Sequence, residues 1–192
     1  MEVTEFVLAE LPSPPARVLE VGCGQGDLAR TLAAAGYNVL AVDPEAPDGP
    51  LFRRTTIEEL DDPGPFDAVV ASRSLHHIHD LPAALDKIAG LLVPGGSVVL
   101  DEFAWERLDG RSARSVGIDY DEWRREHADL HTSAVMIREL DERFGRRSLS
   151  WEPYLYRESR RAVTEADERN LRENRQIQPT GFRYVGARGE YA

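Results

Sequence analysis

The chain has 192 residues, 42% apolar and 30% charged, a balance that suits one globular domain with a sizeable core and excludes a disordered chain. Its 23 basic and 34 acidic residues give a formal charge of -11, which repels phosphate backbones and makes nucleic acid a poor partner. No run approaches the ~18 consecutive apolar residues of a membrane span, the acidic start Met1-Glu2-Val3-Thr4-Glu5 lacks a signal-peptide pattern, and Cys23 as the single cysteine excludes an internal disulfide or a multi-cysteine zinc site.

Val3, Phe6, Val7 and Leu11 fall at helical spacing, and Pro12, Pro14 and Pro15 stop that helix. Arg17 to Val21 is a short apolar run of the buried-strand kind. The glycine-rich turn 22–26 follows, then a helix with Leu28 and Leu32 on one face, closed at Gly36. Asn38 to Val42 reads as a second strand ending at Asp43. Pro44, Pro47 and Pro50 cannot share one regular helix, so the crossover to a third strand at Leu51 to Arg54 carries little helix and this part of the sheet is expected to be thinly covered. The N-terminal helix or a partner subunit, as in a homodimer, is the expected shield. Thr56 to Leu60 forms at most one helical turn.

Phe66 to Ala71 is a fourth strand, and Asp80 caps a helix with Pro82 in its first turn and Leu81, Leu85, Ile88 and Leu92 inward. Pro94-Gly95-Gly96 is expected to end it before a fifth strand, Ser97 to Leu100. Strand and helix alternate to this point, which implies a parallel sheet of the α/β class. Residues 104–131 are polar, with Trp105, Tyr120 and Trp123 among charges. Met136, Leu140 and Phe144 mark a helix from about Ser133, with Gly145 as its stop. Leu149, Trp151 and Leu155 alternate as in a sixth strand, which Pro153 confines to an edge or a bulge. Thr164 with Asp167 resembles a capping box for a charged helix to about Gln176, and Phe182 to Ala187 is a last strand. No linker divides the chain, so 1–192 reads as a single domain.

Gly22, Gly24 and Gly26 form G-x-G-x-G between a strand and a helix, a loop that lets a ligand approach the backbone and meet helix N-terminal N–H groups. The dinucleotide fingerprint needs a further glycine where this chain has Asp27. Glu20 precedes the loop, and Asp43 ends the next strand, where ribose hydroxyls are usually held. His127 and His131 have metal-ligand spacing but no further ligand, so no metal site is expected.

The segment Val18-Leu19-Glu20-Val21-Gly22-Cys23-Gly24-Gln25-Gly26-Asp27-Leu28-Ala29 resembles the first motif of class I S-adenosylmethionine-dependent methyltransferases. Phe66 to Ala71 with Leu75-His76-His77-Ile78-His79-Asp80 resembles their strand-four motif, and Leu91 to Gly96 the turn before strand five. The resemblance covers residues 17–103 in order; beyond it only the general layout agrees, ending in Gly181-Phe182-Arg183-Tyr184-Val185. It implies a Rossmann-like, seven-stranded, mostly parallel sheet with helices on both faces and an antiparallel last strand inserted beside strand five.

The resemblance also assigns roles. Glu20 would attract the amino end of the methionine moiety, while Gly22, Gly24 and Gly26, with Cys23 as a small residue among them, would line its path. Asp43 would bind both ribose hydroxyls, Thr56 and Ile57 would face the adenine, and Ser72 and Arg73 would lie beside the methyl group. Family members often carry Asp where this chain has Thr56, so its adenine contact would differ. The implied activity is methyl transfer from S-adenosylmethionine to an O, N or C nucleophile of a small molecule, releasing S-adenosylhomocysteine. A cytoplasmic location with no membrane partner is expected. His77 is the first candidate for a base, followed by Glu102 and His131. Segments 1–11, 104–135 and 158–180 are expected to cap the substrate. The alternatives are a binding module without turnover and a nicotinamide-dependent oxidoreductase, against which Asp27 argues.

Overall fold

In the computed structural model, residues 2–158 and 163–189 are described. The apolar runs become strands β1 (Arg17–Val21), β2 (Asn38–Asp43), β3 (Phe52–Arg54), β4 (Phe66–Ser72) and β5 (Leu92–Phe103), with β6 (Phe144–Glu152) and β7 (Gly181–Arg188) added after the cap. They form one seven-stranded sheet in the order β3-β2-β1-β4-β5-β7-β6. The strands from β3 to β5 are parallel, with Leu19 opposite Leu40 and Val69, and Val70 opposite Val99. β7 runs antiparallel to both neighbours, Tyr184 pairing with Leu100 on one side and Leu149 on the other. The sheet is therefore the Rossmann-like α/β arrangement that the motif order implied.

Two apolar layers cover it. Leu81, Leu85 and Ile88 of α3 (Leu81–Leu91) and Met136 and Leu140 of α6 (Ser133–Arg143) pack on one face with Leu19, Val69 and Leu100. Phe6 and Val7 of α1 (Val3–Glu10) and Ala29 and Leu32 of α2 (Asp27–Ala34) pack on the other with Val18, Val70 and Val185. A third cluster, built on Phe103, Leu108, Trp123 and Tyr154, sits under the cap formed by α4 (Gly110–Ser115) and α5 (Tyr120–Glu126). The Asp80 side chain accepts the Ala83 N–H at 3.1 Å and starts α3. Thr164 and Asp167 close the expected capping box at the start of α8 (Glu165–Glu173), which stops three residues short of the expected Gln176.

Four local expectations change. Pro94-Gly95-Gly96 does not precede β5; it lies within it, where Phe66 pairs with Leu92 but Ala68 already pairs with Ser97, so an irregular bulge absorbs the glycines. Gly145 does not cap α6: the helix ends at Phe144 in extended conformation, and Gly145 pairs with Ala187 inside β6. Leu155 begins the short helix α7 (Leu155–Glu158), because Pro153 ends the edge strand before it. The N-terminal helix does not shield β3. It packs over β5 and α2, and Arg183 stacks 4.6 Å from the Phe6 ring. Phe52 of β3 is covered instead by the glycine turn before α2 and by the Arg30 guanidinium, 5.2 Å from its ring.

Phe6 is 5% exposed and belongs to the face that holds β1, β4 and β7. Phe6→Ala should destabilise the chain by about 3 kcal/mol or more and lower its melting temperature by roughly 6–12 °C. An unchanged melting temperature would show that α1 is not part of the core.

Candidate active site

The C-terminal ends of β1, β2 and β4 open into a cleft of about 1150 Å³. This is where crossover connections diverge in an open parallel sheet, and where such sheets hold ligands. The glycine turn forms one wall. Gly22 has φ +74°, and a Cβ there would lie 2.1 Å from the Ser74 Cβ; Gly26 has φ +80°, and a Cβ there would lie 2.3 Å from the Phe52 ring. Both positions exclude side chains by conformation and by packing. A Cβ on Gly24 would meet nothing within 4 Å, so its backbone faces open cleft. The three glycines thus serve different ends: two press the turn against its neighbours, and one bares the backbone.

Glu20, on β1 at the cleft floor, is 3% exposed, and its Oε2 atom is buried without a hydrogen-bond partner. Burial, reinforced by Asp43 and Asp27, pushes its pKa up from 4.5 to about 8, against the opposing Ala29 N–H. Between pH 4.5 and 8 the folded chain holds this proton and the unfolded chain does not, so Glu20's contribution to stability falls as pH rises through that window. A ligand ammonium beside Glu20 favours the ionised form. Affinity for S-adenosylhomocysteine should therefore rise from pH 6 to 8, by up to about tenfold per unit, with proton release on binding. Calorimetry in two buffers of different ionisation enthalpy checks this; a pH-independent affinity that Glu20→Gln does not change would remove the assignment.

Asp43 uses both carboxylate oxygens to hold backbone: Oδ2 accepts the Gly24 N–H at 2.9 Å, and Oδ1 accepts the Glu45 N–H at 2.8 Å. Each oxygen keeps acceptor capacity for a ligand hydroxyl. Thr56, Ile57, Ser72 and Arg73 line the same cleft, and Arg73 adopts φ +57°, unusual for a side-chain-bearing residue. The Cys23 thiol is pushed up to about 12 by burial and by the Glu20 and Asp43 charges, so it carries no nucleophilic role. The glycine turn, Glu20, Asp43, Thr56, Ile57, Ser72 and Arg73 are thus brought together.

The three base candidates separate. His77 lines the cleft with much of its surface open to solvent, and partial desolvation of its ring by neighbouring atoms, aided by His76, holds its pKa below the usual imidazole value. It is neutral at pH 7 and able to accept a proton. Glu102 is fully buried and does not face the cleft. Its Oε1 accepts the Ser74 and Leu75 N–H groups at 2.9 and 2.8 Å, and its Oε2 lies 2.6 Å from His76 Nδ1. Its role is to hold the turn after β4. His131 Nε2 donates to the Ile78 carbonyl at 2.7 Å, and its backbone N–H donates to the His76 carbonyl, so it too secures this turn and does not line the cleft.

Other residues line the cleft, and of these Phe103, Tyr154 and Arg157 carried no readable signal in the sequence. His76 bonds Glu102 through Nδ1 and packs on His77 with ring centres 4.2 Å apart. His127 donates from Nδ1 to the Trp123 carbonyl at 2.7 Å. Phe103 stacks on Tyr154 at 4.6 Å and meets His127 edge-on at 5.4 Å. Tyr154 and Arg157 reach the cleft from the turn after β6, a segment outside the expected cap. Val3 and Thr4 line it from the N-terminal helix, and His127 and Leu130 from the segment after β5. Within the expected cap 158–180, residues 159–162 lie outside the described residues, and none of the residues from 163 to 180 lines the cleft. Among the described residues no three His, Cys, Asp or Glu side chains are placed to hold a metal ion, and no helix is long and apolar enough to cross a membrane.

Comparisons with known proteins bear on the family and the fold. The profile of a methyltransferase domain family matches residues 2–151. A ubiquinone biosynthesis O-methyltransferase of Xanthomonas campestris pv. campestris is 36% identical over 111 residues, covering 50% of this chain and 46% of that protein. The chain spans about half the length of the curated relatives it matches. Among solved structures, an S-adenosylmethionine-dependent methyltransferase of Mesorhizobium loti superposes with a TM-score of 0.66 at 18% identity, covering 95% of both chains. The N-methyltransferase NodS of Bradyrhizobium japonicum, solved with S-adenosylhomocysteine, gives 0.61 at 17% identity over 96% of this chain and 84% of that one. By its profile match, its strand order and its glycine turn, the chain belongs to the class I S-adenosylmethionine-dependent methyltransferases.

Proposed function

We propose that this chain transfers a methyl group from S-adenosylmethionine to a hydroxyl, amine or carbon nucleophile of a small molecule. The observation that carries the reading is the buried, unpartnered Glu20 oxygen beneath a glycine turn whose open Gly24 backbone is held by Asp43. A buried carboxyl oxygen without a partner costs stability unless a ligand cation meets it, and Asp43 beside it offers acceptors for vicinal hydroxyls. An amino acid joined to a nucleoside has both groups, and neither needs a phosphate site.

When bound, the cofactor supplies an electrophilic methyl on a sulfonium. The chain's residues do the rest. Glu20 and Asp43 orient the two ends of the ligand, and the cap with Val3 and Thr4 excludes water. His77 takes the proton of an acceptor hydroxyl or ammonium, and the Glu102–His76 pair beside it keeps the turn after β4 in place.

Two measurements test the reading. S-adenosylhomocysteine should raise the melting temperature in a concentration-dependent manner while NAD leaves it unchanged. Radiolabelled methyl should then pass from S-adenosylmethionine to an acceptor from a panel of hydroxyl and amine compounds. Stabilisation by NAD instead would favour an oxidoreductase; binding without transfer to any acceptor would favour the module without turnover.

A further inference from the structure

The charges lining the cleft are sorted. Its carboxylates, Glu20, Asp27, Asp43 and Glu58, come from β1, the start of α2, the end of β2 and the turn after β3. Its cations and imidazoles come from elsewhere: Arg73, His76, His77 and His79 from the turn after β4, His127 from the cap, and Arg157 from α7. No carboxylate lines this second half, in a chain with a formal charge of -11. Chance distribution of so acidic a composition would place acids there too.

The same half has an aromatic wall. Phe103 contacts both Tyr154 and His127, lying nearly parallel to Tyr154 at 17°. Arg157 stands at the edge of this wall, 5.4 Å from the Tyr154 ring centre. It pairs with Asp101 through Nη1 at 3.3 Å and donates to the Tyr156 hydroxyl through Nε, while Nη2 makes no hydrogen bond among the described residues. Arg73 is exposed, and its guanidinium makes no hydrogen bond or ion pair among the described residues. A planar ring, an anion and a hydroxyl directed at His77 meet these features together.

Resting on the methyltransferase reading above, we infer that the acceptor is an aromatic hydroxyl compound bearing an anionic group, with its ring against Phe103, His127 and Tyr154 and its anion toward Arg157 and Arg73. An anionic acceptor is attracted to the arginine half and repelled from the carboxylates of the cofactor half, so the charge sorting also fixes which ligand enters which end.

Three probes that share one ring and one pair of hydroxyls isolate the charge: 3,4-dihydroxybenzoate, catechol and 3,4-dihydroxybenzylamine. Each is titrated by calorimetry, at one fixed pH of about 8, into the intact chain saturated with S-adenosylhomocysteine. The benzoate should bind about ten- to a hundredfold more tightly than catechol, and the amine more weakly than either. Arg157→Gln should reduce the benzoate preference without changing affinity for S-adenosylhomocysteine, and Arg73→Gln should reduce the same preference, measured as the ratio of benzoate to catechol affinity in the variant itself. Arg73→Gln breaks no contact of the fold, so its result stands even if the loss of the Asp101 pair unfolds the other variant. Equal binding of benzoate and catechol, tighter binding of the amine, no binding of any probe, or a preference that survives in both variants would overturn the inference. Failure of the chain to bind S-adenosylhomocysteine in the first step would instead overturn the reading on which it rests.

Discussion

His77→Ala should lower turnover by about 10²–10⁴-fold while leaving cofactor affinity nearly unchanged. The imidazole faces the cleft, its pKa is held below the ordinary value, and it makes no contribution to the glycine turn. A sulfonium nearby would disfavour its protonated form further, keeping it a base until the acceptor's proton arrives. His77→Asn keeps a hydrogen-bonding side chain but no base, so it should be as slow as the alanine variant. His76 provides the contrast. It is 4% exposed and tied to Glu102, so His76→Ala leaves a buried carboxylate short of one partner and should lower stability as well as activity. Single-turnover rates with melting temperatures separate the two. An active His77→Asn enzyme would remove His77 as base. A folded His76→Ala enzyme with the larger loss in turnover would transfer the role to His76, with Glu102 as the group that fixes its tautomer.

Asp43→Ala should weaken binding of S-adenosylhomocysteine by about 1.5–3 kcal/mol, roughly 10- to 150-fold. Two effects act together. The ligand loses acceptors for its hydroxyls, and the Gly24 N–H loses the carboxylate that holds the open part of the glycine turn. The Glu45 N–H, bonded to the other oxygen, also loses its partner, so the crossover after β2 should loosen. Calorimetry on a variant whose circular dichroism matches the parent measures the loss. Unchanged affinity in such a variant would refute the ribose assignment. Asp43→Asn tests the two effects against each other, because its amide oxygen can keep one backbone bond while the charge is gone.

These two residues also mark the difference between what was legible in the sequence and what was not. Residues 17–103 read well because each signal there is local. A buried parallel strand is a short apolar run, a left-handed turn needs glycine, and a helix start needs an Asp80-type cap. The strands, the glycine turn and the ends of β1, β2 and β4 therefore follow from neighbours within a few residues, and with them the glycine-turn side of the cleft. The three prolines between β2 and β3 also announced a crossover without a helix.

What shields β3 was not local. Phe52 is covered because Gly26, 26 residues earlier in sequence, lacks a side chain and lets its ring in. The sequence shows the glycine and the phenylalanine separately; only the fold shows that one makes room for the other. The acceptor half of the cleft is decided in the same way. Glu102 sits at the end of a strand where catalytic carboxylates lie, yet its oxygens are consumed by Ser74, Leu75 and His76 from a turn 26 to 28 residues away. His131 is directed to a carbonyl 53 residues distant. Tyr154 and Arg157 enter the cleft because the antiparallel insertion of β7 between β5 and β6 sets where β6 ends, and with it the turn after β6 beside Phe103. Periodicity and turn chemistry, which report the chain's nearest neighbours, determined the α/β class and the glycine turn of this protein, while the seven-stranded order with its antiparallel last strand was implied by the family resemblance. Tertiary packing alone decided which carboxyl is spent on holding a turn and which imidazoles face the cleft, because a side chain's role depends on partners that the chain brings together only when the sheet closes.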